Sequence, residues 1–138
     1  MTFVEAKKYL RQPGVLNRTI ENKLQQLYEL KQQRLCIPGT DYSKDKVQSS
    51  LTGDTLEKLI SKIVDLDREI DKLIDSYIDV KWDVVRKIEK LPKKQREVLL
   101  LKFVEGHSIS EMAFELNLST NRIKQLTNDG ILNFSKTY

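Results

Sequence analysis

The chain has 138 residues but only one cysteine, three prolines, five glycines, one histidine and one tryptophan. A lone thiol, Cys36, cannot form an internal disulfide, which fits a reducing, cytoplasmic setting. The longest apolar run covers only 98–101, far short of the roughly 20 residues that cross a bilayer. The start, MTFVEAKKYL, has no long apolar segment of a secretory signal. No membrane association is therefore expected. The single histidine, His107, has no cysteine or paired carboxylate beside it in an acid–base arrangement, which argues against an enzyme and leaves it a turn or cap residue. Zinc-ligand spacing and a phosphate-cradling glycine loop are also missing, so no metal and no cofactor are expected.

A large excess of charge of one sign is lacking too. The formal net charge is +4 and the pI about 9.1, a modest bias toward an anionic partner. There are 17 basic and 15 acidic residues before Pro92, against 7 and 5 from it onward. The C-terminal third is thus not strongly basic, and its grip on phosphates would need a second copy or a helper. With 39% hydrophobic and 32% charged residues the chain reads as a globular protein of one domain or two small ones.

What the sequence does contain is a helix-turn-helix pattern over 106–134, GHSISEMAFELNLSTNRIKQLTNDGILNF. Ser108 and Glu111 form a capping box, opening a helix that turns Ile109, Met112, Ala113 and Leu116 inward. Asn117 stands where the turn requires a left-handed residue, Leu118 plugs the turn, and Ser119 caps the next helix. On that helix Ile123 and Leu126 point inward, while Thr120, Asn121, Lys124, Gln125 and Asn128 share the outward face. Amides can chelate adenine and a lysine can bond guanine, so these side-chain types suit base reading, although a solvated surface helix would also carry them. Asn128-Asp129-Gly130 is a strong turn signal at which this helix is expected to stop or kink.

The run from Leu91, LPKKQREVLLLKFVEGHSISEMAFELNLSTNRIKQL, resembles the fourth conserved region of sigma-70-type RNA polymerase specificity factors. Leu91-Pro92, Arg96 to Leu99, Phe103, Glu105-Gly106, Ser110-Glu111, Ala113, Leu116, Ser119, Ile123 and Lys124-Gln125 carry the resemblance. It implies that the Ser119-capped helix enters a major groove, with Thr120, Asn121, Lys124 and Gln125 at the bases of double-stranded DNA. Lys93, Lys94, Arg96, Ser110 and Arg122 are the corresponding candidates for phosphates. Thr120 and Asn121 stand where the family often has Arg and Glu, so its promoter specificity does not carry over.

Upstream, Thr2 and Glu5 form a second capping box, and the helix they open, with Phe3, Val4 and Leu10, is expected to break at Pro13-Gly14. Leu16, Ile20, Leu24, Leu27 and Leu30 continue helical spacing to about Leu35. The stretch 36–53, rich in Gly, Pro and small polar residues, reads as a long mobile loop. Asp54 is then expected to cap the longest helix, whose apolar positions Leu56, Leu59, Ile63, Leu66, Ile70, Leu73, Tyr77, Val80, Val84 and Leu91 follow a coiled-coil spacing interrupted at Lys87. Two helical stretches of similar reach predict an antiparallel helical hairpin. A second apolar line, Ile74, Ile78, Trp82 and Val85, is expected to pack against the C-terminal module or another copy, with self-association as a homodimer favoured. Asp67, Asp71, Asp75, Asp79 and Asp83 recur at i+4, a solvated acidic face without the closed cluster that a metal needs. From Pro92 to Val104 a further helix is expected to bring Val98, Leu99, Phe103 and Val104 into the core of the helix-turn-helix.

The predicted fold is all-α: a hairpin and assembly domain over 1–90, then a helix-turn-helix domain over 91–138. The layout resembles the small phage and prophage regulators of the ArpU type, which implies sequence-specific DNA binding in transcription regulation. Two other readings fit the same residues: a sigma-like adaptor docked on RNA polymerase with little DNA contact, and a coiled-coil assembly protein whose helix-turn-helix is only a compact cap.

Overall fold

The computed structural model describes residues 1–36 and 46–138, with side chains in the second stretch from 54 onward. Its helices are α1 (Phe3–Cys36), α2 (Lys46–Ile88), α3 (Lys93–Leu99), α4 (Ile109–Leu116) and α5 (Thr120–Thr137), with a π-helical turn over Leu100–Val104. Among the described residues there is no strand, so the chain is all-α, long helices first and a helix-turn-helix after. It divides into two compact units, residues 18–75 and residues 1–17 with 76–138.

Both long helices run further than their sequences predict. The Thr2–Glu5 box forms reciprocally: the Thr2 N–H donates to Glu5 Oε2 at 3.0 Å and the Glu5 N–H to Thr2 Oγ1 at 3.2 Å. From there α1 continues through Pro13 and Gly14 without the expected break. An interior proline costs about 3 kcal/mol through its missing donor and its ring. Here the ring is fully buried, and the apolar surface it removes from water offsets that cost. Helix α2 begins at Lys46, so Asp54 is not a cap; it lies inside the helix, 3.3 Å from Lys58 one turn on. Of the loop expected over 36–53, residues 46–53 are helical and 37–45 lie outside the described residues.

In residues 18–75 the two long helices run antiparallel. Lys23 meets Glu69 at 2.7 Å, while Leu30 and Gln33 share a small groove with Leu59 and Lys62. Ile20, Leu27, Leu59 and Ile70 are buried there, and Leu56, Ile63, Leu66 and Leu73 are half-buried.

The other unit holds two apolar clusters. The larger joins Ala6 and Leu10 of α1, Val84 and Ile88 of α2, Leu91, Leu99, Phe103, and Ile131 and Phe134 of α5. Leu91, where a domain boundary is expected from the sequence, is thus itself a core residue. The apolar seam of α2 passes from Val84 to Ile88, one residue beyond the expected position, and Lys87 is left at its edge. The Lys87 ammonium lies 4.5 Å from the Tyr9 ring centre, 5.4 Å from that of Tyr138 and 3.4 Å from Asp83, a half-buried aromatic and acidic niche suited to a cation. The Tyr9 hydroxyl donates to Asp83, and the Tyr138 hydroxyl donates to the Lys87 carbonyl at 3.1 Å.

The smaller cluster is the helix-turn-helix core: Val98, Leu101, Met112, Ile123 and Leu126, with Ile109, Ala113, Leu116 and Leu118 packed against it. The expectation that Val98, Leu99, Phe103 and Val104 all enter this core needs correction. Only Val98 does; Leu99, Phe103 and Val104 face the larger cluster. The segment that carries them widens at its end, where the Glu105 N–H reaches back five residues to the Leu100 carbonyl at 3.0 Å. It serves two cores from two sides.

Candidate nucleic-acid interface

The geometry of the turn follows from three side chains. Ser108 has extended backbone and its hydroxyl accepts from the Glu111 N–H at 3.2 Å, fixing the start of α4. Asn117 ends α4 in the left-handed region at φ 55°, ψ 43°, a conformation that its short polar side chain tolerates. Ser119 repeats the cap for α5, accepting from the Arg122 N–H at 3.1 Å. His107 sits at the preceding turn: its N–H donates to the Leu101 carbonyl, and its ring nitrogens lie 3.0 Å from Glu111 and 3.4 Å from Glu105.

Helix α5 does not stop at Asn128-Asp129-Gly130 but runs unbroken to Thr137. Gly130 is buried, and a Cβ there would stand 3.2 Å from the Leu99 side chain. The glycine serves close approach of α5 to α3, not a turn. The packing anchors the far half of α5 through Ile131 and Phe134, aided by the Asn133 amide, which donates to Gln95 Oε1 at 3.0 Å. A helix held rigid along one end can present its other end at a fixed angle.

The presented end is polar. Thr120, Asn121, Lys124, Gln125 and Asn128 are all exposed, while Ile123 and Leu126 of the same turns are buried. One internal bond shapes this face: Arg122 Nη1 donates to Gln125 Oε1 at 2.9 Å. A guanidinium has donors only, so the Gln125 oxygen must face it and the amide NH₂ is left to project. While this bond holds, Gln125 offers donors rather than the donor–acceptor pair that chelates adenine. The first turn of α5 has no acidic residue, so its free N–H groups and partial positive charge are not neutralised from within.

Of the candidates for phosphates, Lys93, Lys94 and Ser110 are exposed, and Arg96 and Arg122 half-buried. Lys93 and Lys94 open α3, whose first turn also lacks an acid. Cations at a helix N-terminus oppose the macrodipole, so helix stability does not explain their position.

Sequence reasoning overlooked Phe114. It projects from α4 with 87% of its surface exposed, between the exposed carboxylates of Glu111 and Glu115. Its place out of phase with Ile109, Met112, Ala113 and Leu116 was a signal available in the spacing. On α2, Ile74, Ile78 and Trp82 are exposed and Val85 is half-buried. Among the described residues no group of three or more His, Cys, Asp or Glu side chains could hold a metal ion, and no helix is long and apolar enough to cross a membrane.

No curated protein and no solved structure matches the chain. Residues 81–129 do match a family model, that of Sigma-70, region 4. The matched span takes in the last two turns of α2, all of α3 and α4, and the first half of α5. With the caps, turn and buried positions just described, this stretch is a sigma-70 region 4-like helix-turn-helix, a module whose role is in DNA binding and transcription.

Proposed function

We propose that the protein is a sequence-specific transcription regulator that lays the N-terminal half of α5 in the major groove of duplex DNA. The carrying observation is the uniformly exposed, acid-free face of Thr120, Asn121, Lys124 and Gln125 at the start of a helix whose other end is locked in the core. In this reading Lys124 bonds guanine O6 or N7 and Gln125, held by Arg122, donates to base acceptors. Lys93, Lys94, Arg96, Ser110 and the remaining donors of Arg122 take phosphates and set the register. One module with so little excess positive charge grips phosphate weakly, so the regulator acts as a homodimer through Ile74, Ile78, Trp82 and Val85. The ArpU-type layout supplies the setting, a phage or prophage gene read in a bacterial cytoplasm.

Selection of bound duplexes from a random pool tests this. The wild-type chain enriches one site, palindromic if two copies bind symmetrically. Lys124→Ala with Gln125→Ala abolishes the preference while helical content is unchanged. Enrichment of the same site by the double variant would refute this reading face.

Phe114 favours a second reading, in which α4 docks on RNA polymerase. The two carboxylates beside the ring repel phosphates, while the exposed aromatic ring suits a protein surface. In that case Phe114→Ala reduces retention on polymerase and leaves duplex affinity unchanged.

A further inference from the structure

The first four turns of α1 border an apolar groove of about 810 Å³. Phe3, Val4 and Val15 are 36%, 73% and 57% exposed along it, and Val80 of α2 completes its apolar lining. Three cations, Lys7, Lys8 and Arg11, stand over it, and no carboxylate is among its lining residues. A fourth cation adds to the crowding. Lys102 is held below the usual lysine range by its burial first, then by repulsion from Lys7 and Arg11. Like charges gathered beside apolar surface, with no acid among the lining residues, are unfavourable in isolation. An acidic, apolar partner would relieve both costs together.

The same compact unit carries such a surface. Ile78 and Trp82, one turn apart on α2, are 45% and 56% exposed, on the side of the helix away from the buried Val84. Asp79 is exposed next to them; Asp75, one turn earlier on the same helix and the last residue of the other unit, is exposed too. Asp83, the next in that row, is already engaged by the Tyr9 hydroxyl and Lys87. Asp75 and Asp79 are thus the acids of this row that the proposed pairing uses.

We propose that the groove on α1 receives the Ile78–Trp82 ridge of a second copy, with Lys7, Lys8 and Arg11 set against Asp75 and Asp79 of that copy. The inference rests on the homodimer reading above and gives it a geometry. Groove and ridge lie on one chain, so a two-fold arrangement fills both grooves at once. Trp82 is 56% exposed, so reciprocity adds the open half of two tryptophan rings to the apolar surface that the two grooves cover. Duplex DNA is a poor occupant, since its phosphates would match the cations but leave the apolar floor uncovered.

Sedimentation equilibrium on the full chain tests the pairing. The wild type forms a dimer. Lys7→Glu with Arg11→Glu makes both groove and ridge acidic and weakens self-association by about tenfold or more. Asp75→Lys with Asp79→Lys makes both basic, with the same effect. Mixing the two variants restores a dimer, because in the mixed pair each groove meets a ridge of opposite charge. Thermal unfolding of each variant establishes that it is folded. A groove variant that dimerises like the wild type, or a mixture that does not reassociate, overturns this geometry and leaves the homodimer standing. A wild-type chain that stays monomeric throughout overturns both.

Discussion

Residues 18–75 bury only Ile20, Leu27, Leu59 and Ile70 among their described apolar side chains, strung along one seam of paired helices. In the other unit, helices from both ends of the sequence enclose two clusters, and Leu10, Val84, Ile88, Val98, Leu99, Met112, Ile123 and Phe134 have no exposed surface at all. The contrast is between a pair of helices, where each side chain has neighbours on one side, and a multi-helix core, where neighbours surround it. Burial per residue, and with it local stability, should differ accordingly. Helix α5, which we propose to read bases, belongs to the better-packed unit, as rigid presentation of such groups would require.

The largest effects test that contrast directly. Phe134→Ala, removing a fully buried ring whose centre lies 5.8 Å from that of Tyr9 and 4.8 Å from that of Tyr138, should cost about 3–5 kcal/mol and abolish duplex binding. Ile70→Ala should cost less, about 2–3 kcal/mol, and act locally. Hydrogen exchange would show faster amides within 18–75 and unchanged protection in α5. Equal acceleration in both units would mean that they unfold as one, and the contrast would be lost.

Two glycines sharpen the comparison within the packed unit. Gly14 lies in a helix with open space around it, so Gly14→Ala should stabilise by about 0.5–1 kcal/mol through backbone entropy and helix propensity. Gly130→Ala gains the same propensity but presses on Leu99 in a filled core, at a cost of about 1 kcal/mol or more. Denaturant midpoints should therefore rise for the first variant and not for the second. An equal rise in both would show that Leu99 yields freely.

The smallest effect concerns Lys102, whose ammonium lies 5.4 Å from the Phe103 ring centre. Burial, then Lys7 and Arg11, lower its pKa from 10.5 in the folded chain. Between the folded and unfolded values the unfolded chain holds more protons, so this group's contribution to stability rises with pH there. Lys102→Met should raise stability slightly at neutral pH and flatten the alkaline rise, as unfolding titrations from pH 7 upward would show. A steeper rise in the variant would contradict the assigned cause.

The helix-turn-helix was legible because its signals are local. Ser108, Asn117 and Ser119 act on backbone groups within three residues, and Ile123 and Leu126 follow from the helical period alone. Proline and glycine misled for the converse reason. Pro13-Gly14 and Asn128-Asp129-Gly130 carry strong local preferences for breaks, and both are overridden by packing that joins residues distant in sequence. Ile88 was missed because the apolar seam shifts by one residue at Lys87, where Tyr9 and Tyr138 give the cation a place that the pattern on α2 could not reveal.

By itself, then, the sequence determined the helical class, the capped turn and the residues on the outer face of α5, since each depends on interactions spanning a few residues. Tertiary structure alone decided that α1 and α5 continue through their breakers, that Leu91 joins a core, and that Lys7, Arg11 and Lys102 gather beside an apolar groove. These outcomes depend on which distant side chains come to share a volume, and burying a fully packed ring or a close helix contact outweighs the local preference that opposes it.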